Sequence, residues 1–261
     1  MNPQPYYQDD AVTIYHGEAC AVLAELPEAS CDVLLTDPPY SSGGMFRSDR
    51  SKSPDEKYRG WSQNEDGSSR APTNEYGTFG GDCRDQWAWI RWVSSWSDAA
   101  LRTIRPGGHG FMFSDWRQLP AATDAAQFGG WTWQSLLVWD KGVGRPVKGR
   151  FRNHLEYVVW MTSGQGDRTE DYPSALISVP TVGHGERQHV TQKPTKLLTE
   201  LLRVVPGERL TILDPFLGSG STLIAARNLG HRCIGIEIEE RYCEIAAKRM
   251  AQGVLDFGAA S

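Results

Sequence analysis

The chain alternates between short apolar runs of strand length and longer stretches whose apolar residues recur at helical spacing. Such runs are typical of buried strands, and the periodic stretches are typical of amphipathic helices. The runs predict strands at residues 11–15, 31–36, 110–114, 133–139, 157–161, 210–213 and 232–237. The periodic stretches predict helices at residues 17–26, 85–104, 117–128, 195–205, from 221 onward and 239–250. This alternation predicts a single α/β domain over residues 1–261.

The helix predicted at residues 85–104 carries the clearest apolar stripe. Trp89, Trp92 and Trp96 recur along it at helical spacing. A stripe of this kind predicts a face turned to the core rather than a stacking surface for a ligand. The segment Arg105-Pro106-Gly107-Gly108 is expected to break the helix before the next strand.

The predicted strand at residues 31–36 runs into the tetrapeptide Asp37-Pro38-Pro39-Tyr40. Each proline lacks an N–H and biases the residue before it toward extended backbone, so the chain leaves the sheet in a rigid conformation. A carboxylate, exposed carbonyls and an aromatic ring then lie at the carboxyl end of a strand, where open α/β sheets bind ligands. Asp37 and a carbonyl could accept both hydrogens of a nucleobase –NH₂ group while Tyr40 stacks on the base. A tight turn with a solvated aspartate fits this tetrapeptide equally well.

A second strand–turn–helix segment lies near the carboxyl end of the chain. An apolar strand runs into Asp214, and Gly218 and Gly220 follow in a turn. Ser221 and Thr222 then open a helix. Glycines let the backbone approach a ligand closely, and a helix N-terminus favours a negative group such as a carboxylate. The strand–turn–helix context indicates that this glycine-bearing turn binds a ligand.

The next predicted strand, residues 232–237, ends in Glu237, which lies 23 residues after Asp214. In nucleotide-binding βαβ units an acidic residue about 20 residues on binds a ribose hydroxyl. The segment has neither the G-x-G-x-x-G pattern of dinucleotide sites nor a phosphate-binding lysine after its glycines. The pattern therefore disfavours NAD and ATP as cofactors.

With both segments in view, the chain resembles the DNA amino-methyltransferases, which transfer a methyl group from S-adenosylmethionine to exocyclic amines of adenine or cytosine. Residues 37–40 match the family's catalytic tetrapeptide, and residues 214–220 match its acidic-Pro-Phe-x-Gly-x-Gly cofactor signature. Residues 192–194, Gln-Lys-Pro, match a dipeptide element that opens a helix upstream of the cofactor loop. The catalytic motif precedes the cofactor motif, which resembles the β group of these enzymes. The resemblance covers about residues 11–250.

This resemblance implies a Rossmann-like class I fold with a mostly parallel central sheet, helices on both faces and a circularly permuted motif order. It implies direct transfer to a base turned out of the double helix. The catalytic residues would be Asp37 as amine acceptor, the Pro38 carbonyl as second acceptor, Pro39, and Tyr40 as stacking platform. Glu237 would bind the cofactor's ribose, and Lys193 would lie near its methionine end. The full set expected at the cofactor is Thr36, Asp37, Lys193, Asp214, Phe216, Gly218, Gly220, Ser221, Thr222, Glu237 and Ile238. No metal ion is implied.

The target base follows from the first catalytic position. Within the family an aspartate there is commoner for adenine N6 and a serine for cytosine N4, so Asp37 favours adenine. A cytosine-N4 methyltransferase is the alternative, and a nucleic-acid-binding module without catalysis is a further one. RNA and protein-amide methyltransferases usually have asparagine at this position, so Asp37 counts against them. The chain has no Pro-Cys pair, the nucleophile that cytosine-C5 enzymes need.

Net charge is −5 over 261 residues, so DNA binding requires local basic patches. The densest patch follows the strand predicted at residues 133–139, and we expect it to contact DNA phosphates through Lys141, Arg145, Lys148, Arg150 and Arg152. Residues 140–191 are the predicted DNA-contacting and target-recognition region.

Residues 41–82 are polar, with scattered aromatic side chains, and are too long for an ordinary connection. They follow the catalytic turn directly. We interpret them as an inserted loop that closes over DNA as a lid, with aromatic residues that fill the gap left by a flipped base.

Cysteine usage and hydropathy indicate the compartment. Five cysteines are scattered without C-x-x-C spacing, which is typical of unpaired thiols in a reducing cytosol. No apolar run has membrane-spanning length. We therefore expect a cytoplasmic enzyme of prokaryotic or phage-encoded type that binds double-stranded DNA and no membrane. The resemblance suggests a homodimer, and no obligate protein partner is expected.

Overall fold

The computed structural model describes residues 4–40, 84–144, 146, 148–149, 151–181 and 193–256. The segment predicted as a lid (41–82), Arg145 and Arg150 lie outside these described residues. The strands of the described part are β1 (Tyr7–Gln8), β2 (Val12–His16), β3 (Cys31–Thr36), β4 (Ile104–Ser114), β5 (Thr132–Asp140), β6 (Leu155–Thr162), β7 (Leu176–Ser178), β8 (Thr211–Asp214) and β9 (Arg232–Glu237).

These strands form one sheet in the order β1-β2-β9-β8-β3-β4-β6-β5-β7. The five central strands from β2 to β4 run parallel to one another. Strand β1 is antiparallel to β2, and β6 is antiparallel to both β4 and β5. The prediction of a mostly parallel sheet is confirmed.

Helices cover both faces of this sheet. In the described residues they are α1 (Ala19–Glu25), α2 (Gln86–Thr103), α3 (Leu119–Phe128), α4 (Thr195–Leu202), α5 (Ser221–Asn228) and α6 (Glu240–Asp256). Side chains of β3 alternate between the faces: Val33 and Leu35 pack with α4, α5 and α6, whereas Leu34 packs with α1, α2 and α3. The Rossmann-like α/β architecture implied by the sequence is therefore confirmed.

Three acidic residues lie at the carboxyl ends of adjacent central strands. Asp37 follows the end of β3, Asp214 ends β8, and Glu237 ends β9. Because β3, β8 and β9 are parallel neighbours, these residues share one edge of the sheet. The loop between β5 and β6, residues 141–154, leaves the sheet at this same edge, because β6 begins opposite the end of β4. Topology thus brings the acidic turn, the glycine-bearing turn and the basic hairpin to one side of the domain.

The break in the helix expected at residues 105–108 is confirmed, because α2 ends at Thr103, but β4 begins at Ile104 and continues through these residues. The Gly107 N–H donates to the Ser163 carbonyl and the Ser163 N–H donates to the Gly108 carbonyl, each at 2.9 Å. A Cβ at Gly108 would lie 2.6 Å from the Asp32 carbonyl oxygen. The glycine therefore permits close approach of two backbones rather than a turn. Strands β1 and β7 were not expected, because two or three residues are too few to show periodicity.

No helix within the described residues has the length and apolar character that crossing a membrane requires.

The side chain of His109 on β4 is held neutral by its neighbours. Trp160 Nε1 donates to His109 Nδ1 at 3.2 Å, so the ring proton lies on Nε2, which is 2.9 Å from the Asp167 carbonyl oxygen. Burial lowers the pKa of His109. Protonation would give Nδ1 a hydrogen that points at the indole N–H, so the folded state resists it.

This arrangement predicts a pH dependence of folding. The unfolded chain takes up a proton on His109 near pH 6.5, whereas the folded chain does so only at lower pH. The contribution of His109 to the free energy of unfolding should therefore be fully present above about pH 6.5. Below that pH the free energy of unfolding should fall, by at most about 1.4 kcal/mol per pH unit for one proton. Urea unfolding between pH 5.5 and 7.5 measures this slope. His109→Gln should flatten it in part, since burial also lowers the pKa of His231. An unchanged slope in the variant would contradict this assignment.

Candidate active site

The turn after β3 is anchored by a tryptophan of α2. Trp89 Nε1 donates a 2.7 Å hydrogen bond to the Pro39 carbonyl, and the Trp89 side chain is fully buried. A buried indole N–H requires an acceptor, which this rigid carbonyl provides. The predicted core position of Trp89 is confirmed, and the hydrogen bond adds a function that periodicity does not reveal. The turn that carries Asp37 and Tyr40 is therefore fastened to the core.

The two carboxylate oxygens of Asp37 differ in their surroundings. Oδ2 accepts a hydrogen bond from the Lys193 ammonium at 2.5 Å. Oδ1 is buried and has no hydrogen-bond partner among the described residues. Burial raises the pKa of Asp37, and the adjacent Lys193 ammonium opposes this rise. A buried acceptor without a donor is costly, so Oδ1 indicates a position for a donor from a ligand.

Lys193 belongs to a chain of four alternating charges. Its Nζ also lies 3.4 Å from Glu156 Oε2. Glu156 Oε1 in turn accepts a hydrogen bond from Lys141 Nζ at 3.0 Å. Burial alone would lower the pKa of Lys193, but its two carboxylate neighbours raise it. Burial alone would raise the pKa of Glu156, but Lys193 and Lys141 lower it. Lys193 and Glu156 therefore stabilise each other's charged forms, and Asp37 and Lys141 lie at the two ends of this chain.

This chain of charges adds to the sequence-based picture. Glu156 was missed, and its only signal is a carboxylate at the start of an otherwise apolar strand. Lys141, predicted to contact phosphates, directs its ammonium to Glu156 and exposes 20% of its side chain. Lys193, expected near the methionine end of a cofactor, contacts Asp37. The cofactor and DNA roles of the two lysines remain predictions.

Asp214 ties the glycine-bearing loop to its surroundings. Its Oδ1 accepts hydrogen bonds from the Thr36 hydroxyl at 3.0 Å and from the Phe216 N–H at 3.1 Å. Its Oδ2 accepts one from the Thr222 hydroxyl at 2.6 Å. Burial raises the pKa of Asp214 to about 6, although these donors oppose the rise. Asp214 thereby connects the end of β3, the loop and the start of α5, which positions four of the predicted cofactor residues together.

Glu237 and the two loop glycines shape the rest of this site. Glu237 Oε2 accepts the Gly218 N–H and Oε1 accepts the Glu239 N–H, both at 2.8 Å. Gly218 and Gly220 have φ values of +53° and +85°, a backbone region that favours glycine. Gly220 is the residue that precedes α5, so Ser221 begins the helix. Burial raises the pKa of Glu237. The carboxylate therefore lies at the base of an ordered loop, with further lone pairs to accept a ligand's hydroxyls.

Aromatic rings pack beside the turn after β3 and beside the glycine-bearing loop. The ring of Phe216 meets Trp96 and Trp92 edge-on, with centroids 5.0 and 5.3 Å away. Tyr40 is partly buried against the same apolar cluster, and the Lys193 ammonium lies 5.9 Å from its ring centroid. The tryptophan stripe of α2 thus supports both the turn after β3 and the glycine-bearing loop.

The middle of the basic hairpin has exposed side chains. Lys148, Phe151 and Arg152 are exposed to solvent, with Phe151 fully so. The hairpin leaves the sheet at the same edge as Asp37, so its side chains and Asp37 can contact the same large ligand.

The loop and its neighbours fit S-adenosylmethionine. A Cβ added at Gly218 would meet nothing within 4 Å, so the loop borders open space. Ile238 is 58% exposed and offers apolar surface to a ring beside the Glu237 carboxylate. This carboxylate can accept ribose hydroxyls but repels phosphates. The site therefore suits a nucleoside cofactor that has no phosphate groups.

Known proteins are similar to this chain in sequence and in fold. The family model N6_N4_Mtase, described as DNA methylase, matches residues 31–248. Type II methyltransferase M2.LlaDCHI of Lactococcus lactis subsp. cremoris is 24% identical, over 96% of this chain and 93% of that protein.

Two solved structures show the same fold. The M1.HpyAVI–SAM complex is 21% identical with a TM-score of 0.63, over 92% of this chain and 98% of its own. PvuII DNA methyltransferase, which is cytosine-N4-specific, is 16% identical with a TM-score of 0.69, over 94% of this chain and 88% of its own. Because the family model spans most of the sequence, the chain belongs to the N6/N4 family of DNA methylases, which use S-adenosylmethionine as their methyl donor.

Proposed function

We propose that this DNA methyltransferase methylates the N6 amine of adenine at a specific sequence in double-stranded DNA, with the base turned out of the helix. The observation that carries the proposal is the buried Asp37 Oδ1, for which the described residues supply no donor. An exocyclic amine supplies that donor. The neighbouring Tyr40 ring then stacks on the heterocycle that carries the amine.

The chain's own groups prepare the amine for attack. Its lone pair is delocalised into the base, which makes it a poor nucleophile. Asp37 Oδ1 and the Pro38 carbonyl accept the two amine hydrogens, because Trp89 already occupies the Pro39 carbonyl. These two acceptors favour a tetrahedral nitrogen with a localised lone pair, so positioning and electrostatics supply most of the acceleration. When bound, S-adenosylmethionine supplies the methyl group on a positively charged sulfur.

Asp37 is also suited to take the proton that the nitrogen loses after transfer. Burial raises the pKa of this carboxyl, which makes the carboxylate a better base than one in water. Glu237 would accept the cofactor's ribose hydroxyls, and Ile238 would offer apolar surface to its adenine ring. The loop from Phe216 to Gly220 would hold the rest of the cofactor.

Adenine is preferred over cytosine because of Asp37. The PvuII enzyme shares the fold and is cytosine-N4-specific, so fold alone does not select the base. Incubation of the purified protein with unmethylated DNA and S-adenosylmethionine, followed by nucleoside mass spectrometry, tests the proposal. N6-methyladenine is the expected product. N4-methylcytosine would overturn the choice of base, and no modified nucleoside would overturn the activity.

The hairpin between β5 and β6 is proposed to contact the DNA backbone through its basic residues. Lys148 and Arg152 are exposed at the edge of the sheet that carries Asp37. Phosphate contacts of this kind offset the net charge of −5 and supply affinity that depends on salt.

This placement predicts the effect of Arg152→Gln. Each lost phosphate contact should lower the slope of log K against log[salt] by roughly 1 and weaken binding equally for all sequences. Fluorescence anisotropy with a labelled duplex between 50 and 200 mM salt measures the slope. Arg232→Gln is the matched control, because Arg232 is exposed at the amino end of β9, on the opposite edge of the sheet. Equal slopes for the two variants would contradict a hairpin–phosphate contact.

We further propose that the enzyme acts in the cytoplasm. Self-association as a homodimer remains a prediction, which light scattering of the purified protein tests. Independence from an obligate protein partner also remains a prediction, which methyl transfer by the purified chain alone tests.

A further inference from the structure

Resting on the proposed function, we propose that Glu156 and Lys193 are positioning residues for methyl transfer. Glu156 holds the Lys193 ammonium, and Lys193 holds Asp37 Oδ2, so that Oδ1 faces the target amine. Neither side chain need touch the base or the cofactor to act in this way.

Lys193 is confined between two carboxylates and an aromatic ring. Its side chain is 7% exposed, and its ammonium lies between Asp37 Oδ2 and Glu156 Oε2. The same ammonium lies 4.9 Å from the Phe113 ring centroid. A lysine normally loses much rotamer entropy when its position is fixed, and here burial and two carboxylates fix it. The ammonium is therefore a rigid reference point beside the catalytic turn.

Lys193 also sets the orientation of the Asp37 carboxylate. A carboxylate can rotate about its terminal bond and present either oxygen to a substrate. The bond from Lys193 to Oδ2 selects one orientation and leaves Oδ1 as the acceptor. The amine then meets an acceptor whose direction is set before the base arrives, which is the condition for electrostatic preorganisation.

The positive and negative charges of this chain of residues balance one another. Lys193 carries one positive charge between two carboxylates, and Lys141 supplies the second positive charge on the far side of Glu156. Breaking a buried pair by removal of one partner leaves an uncompensated charge. Lys141 also begins the hairpin proposed to contact DNA, so the same chain of charges connects that hairpin to Asp37.

The charged groups that face Asp37 predict a pH signature. They are Lys193 before α4, Glu156 on β6 and Asp214 on β8. Asp37 must be ionised to accept the amine, so activity falls as the pH falls through its pKa. Lys193 lowers this pKa and Glu156 raises it. Loss of Glu156 should therefore move the acid limb of kcat to lower pH, and loss of Lys193 should move it to higher pH.

The experiment compares Glu156→Gln and Lys193→Met with the wild-type enzyme. For Glu156→Gln we expect kcat to fall roughly tenfold, and for Lys193→Met about a hundredfold, since small displacements of a positioned group have effects of this size. Affinity for S-adenosylmethionine, measured by calorimetry, should be unchanged in Glu156→Gln. Glu244→Gln is the matched control, because it removes the carboxylate of an exposed Lys248–Glu244 pair on α6.

Lys193→Met leaves Asp37 without its ammonium partner and Glu156 with Lys141 alone, and can prevent folding, which a thermal melt detects. Lys193→Arg tests the same point with the charge kept: the acid limb should stay in place while kcat falls, because a planar guanidinium places its donors differently. Wild-type kcat in both Glu156→Gln and Lys193→Arg, with an unshifted acid limb in Glu156→Gln, would overturn the inference. Failure of the wild-type enzyme to methylate DNA would instead overturn the proposed function.

Discussion

Replacing Asp37 with alanine is expected to lower the rate of methyl transfer by about a thousandfold, because one preorganised hydrogen-bond partner at a reacting group has an effect of that order. The variant loses the buried Oδ1 that accepts the amine and the Oδ2 that Lys193 holds. Affinity for S-adenosylmethionine should remain largely intact, because Glu237 and the glycine-bearing loop lie on β9 and after β8. Single-turnover assays with labelled cofactor measure the rate, and calorimetry measures the affinity.

Two further variants sharpen this test. Asp37→Asn keeps the size of the side chain and one acceptor oxygen but not the charge, so it should retain more activity than the alanine variant. Asp124→Ala removes an exposed carboxylate from α3 and should leave the rate unchanged. Two results together would contradict the role assigned to Asp37. Asp37→Ala would have lost cofactor binding, and its rate of methyl transfer per bound cofactor would equal that of Asp124→Ala.

Glu237→Ala should weaken cofactor binding and leave the rate of methyl transfer at saturating cofactor largely unchanged. The Glu237 carboxylate accepts the N–H groups of Gly218 and Glu239, and is proposed to accept ribose hydroxyls as well. Its removal leaves two partly buried backbone donors unpaired and loosens the loop. At about 1–3 kcal/mol for a lost hydrogen bond to a charged group, the Kd for S-adenosylmethionine should rise about ten- to a hundredfold.

Calorimetry with the cofactor alone, in the absence of DNA, isolates this effect. Glu240→Ala is the matched control, because Glu240 is exposed in the first turn of α6, three residues from the same site along the chain. If Glu237→Ala bound cofactor as tightly as Glu240→Ala, the ribose role would be wrong. At saturating cofactor, the rate of transfer by Glu237→Ala should approach that of the wild type.

The secondary structure was largely predictable because it is local. Apolar runs such as residues 31–36 and 232–237 match β3 and β9 residue for residue. The early start of β4 has a non-local cause: Arg105 to Gly108 are extended where Ser163 and Asp32 approach from elsewhere in the chain. The short strands β1 and β7 exist only by pairing with β2 and β5.

The acidic positions of the candidate site were also predictable, since each follows an apolar strand. Parallel neighbours place Asp37, Asp214 and Glu237 at one edge, as strand–turn patterns imply. The partners of these residues were not predictable. Trp89 donates to a carbonyl 50 residues away, and Lys193 pairs with a carboxylate 156 residues away. Neither contact leaves a mark in local periodicity.

The sequence by itself determined the strands and helices, the rigid acidic turn, the glycine-bearing loop and the family to which they belong. Those features depend on proline and glycine backbone preferences and on the alternation of apolar residues, which act over a few positions. Only the tertiary structure decided which oxygen of Asp37 is held and which awaits a donor. That choice depends on Lys193, Glu156 and Lys141, which strand order and burial bring together from distant parts of the chain. Buried charges must be compensated by whichever groups the packed fold places beside them.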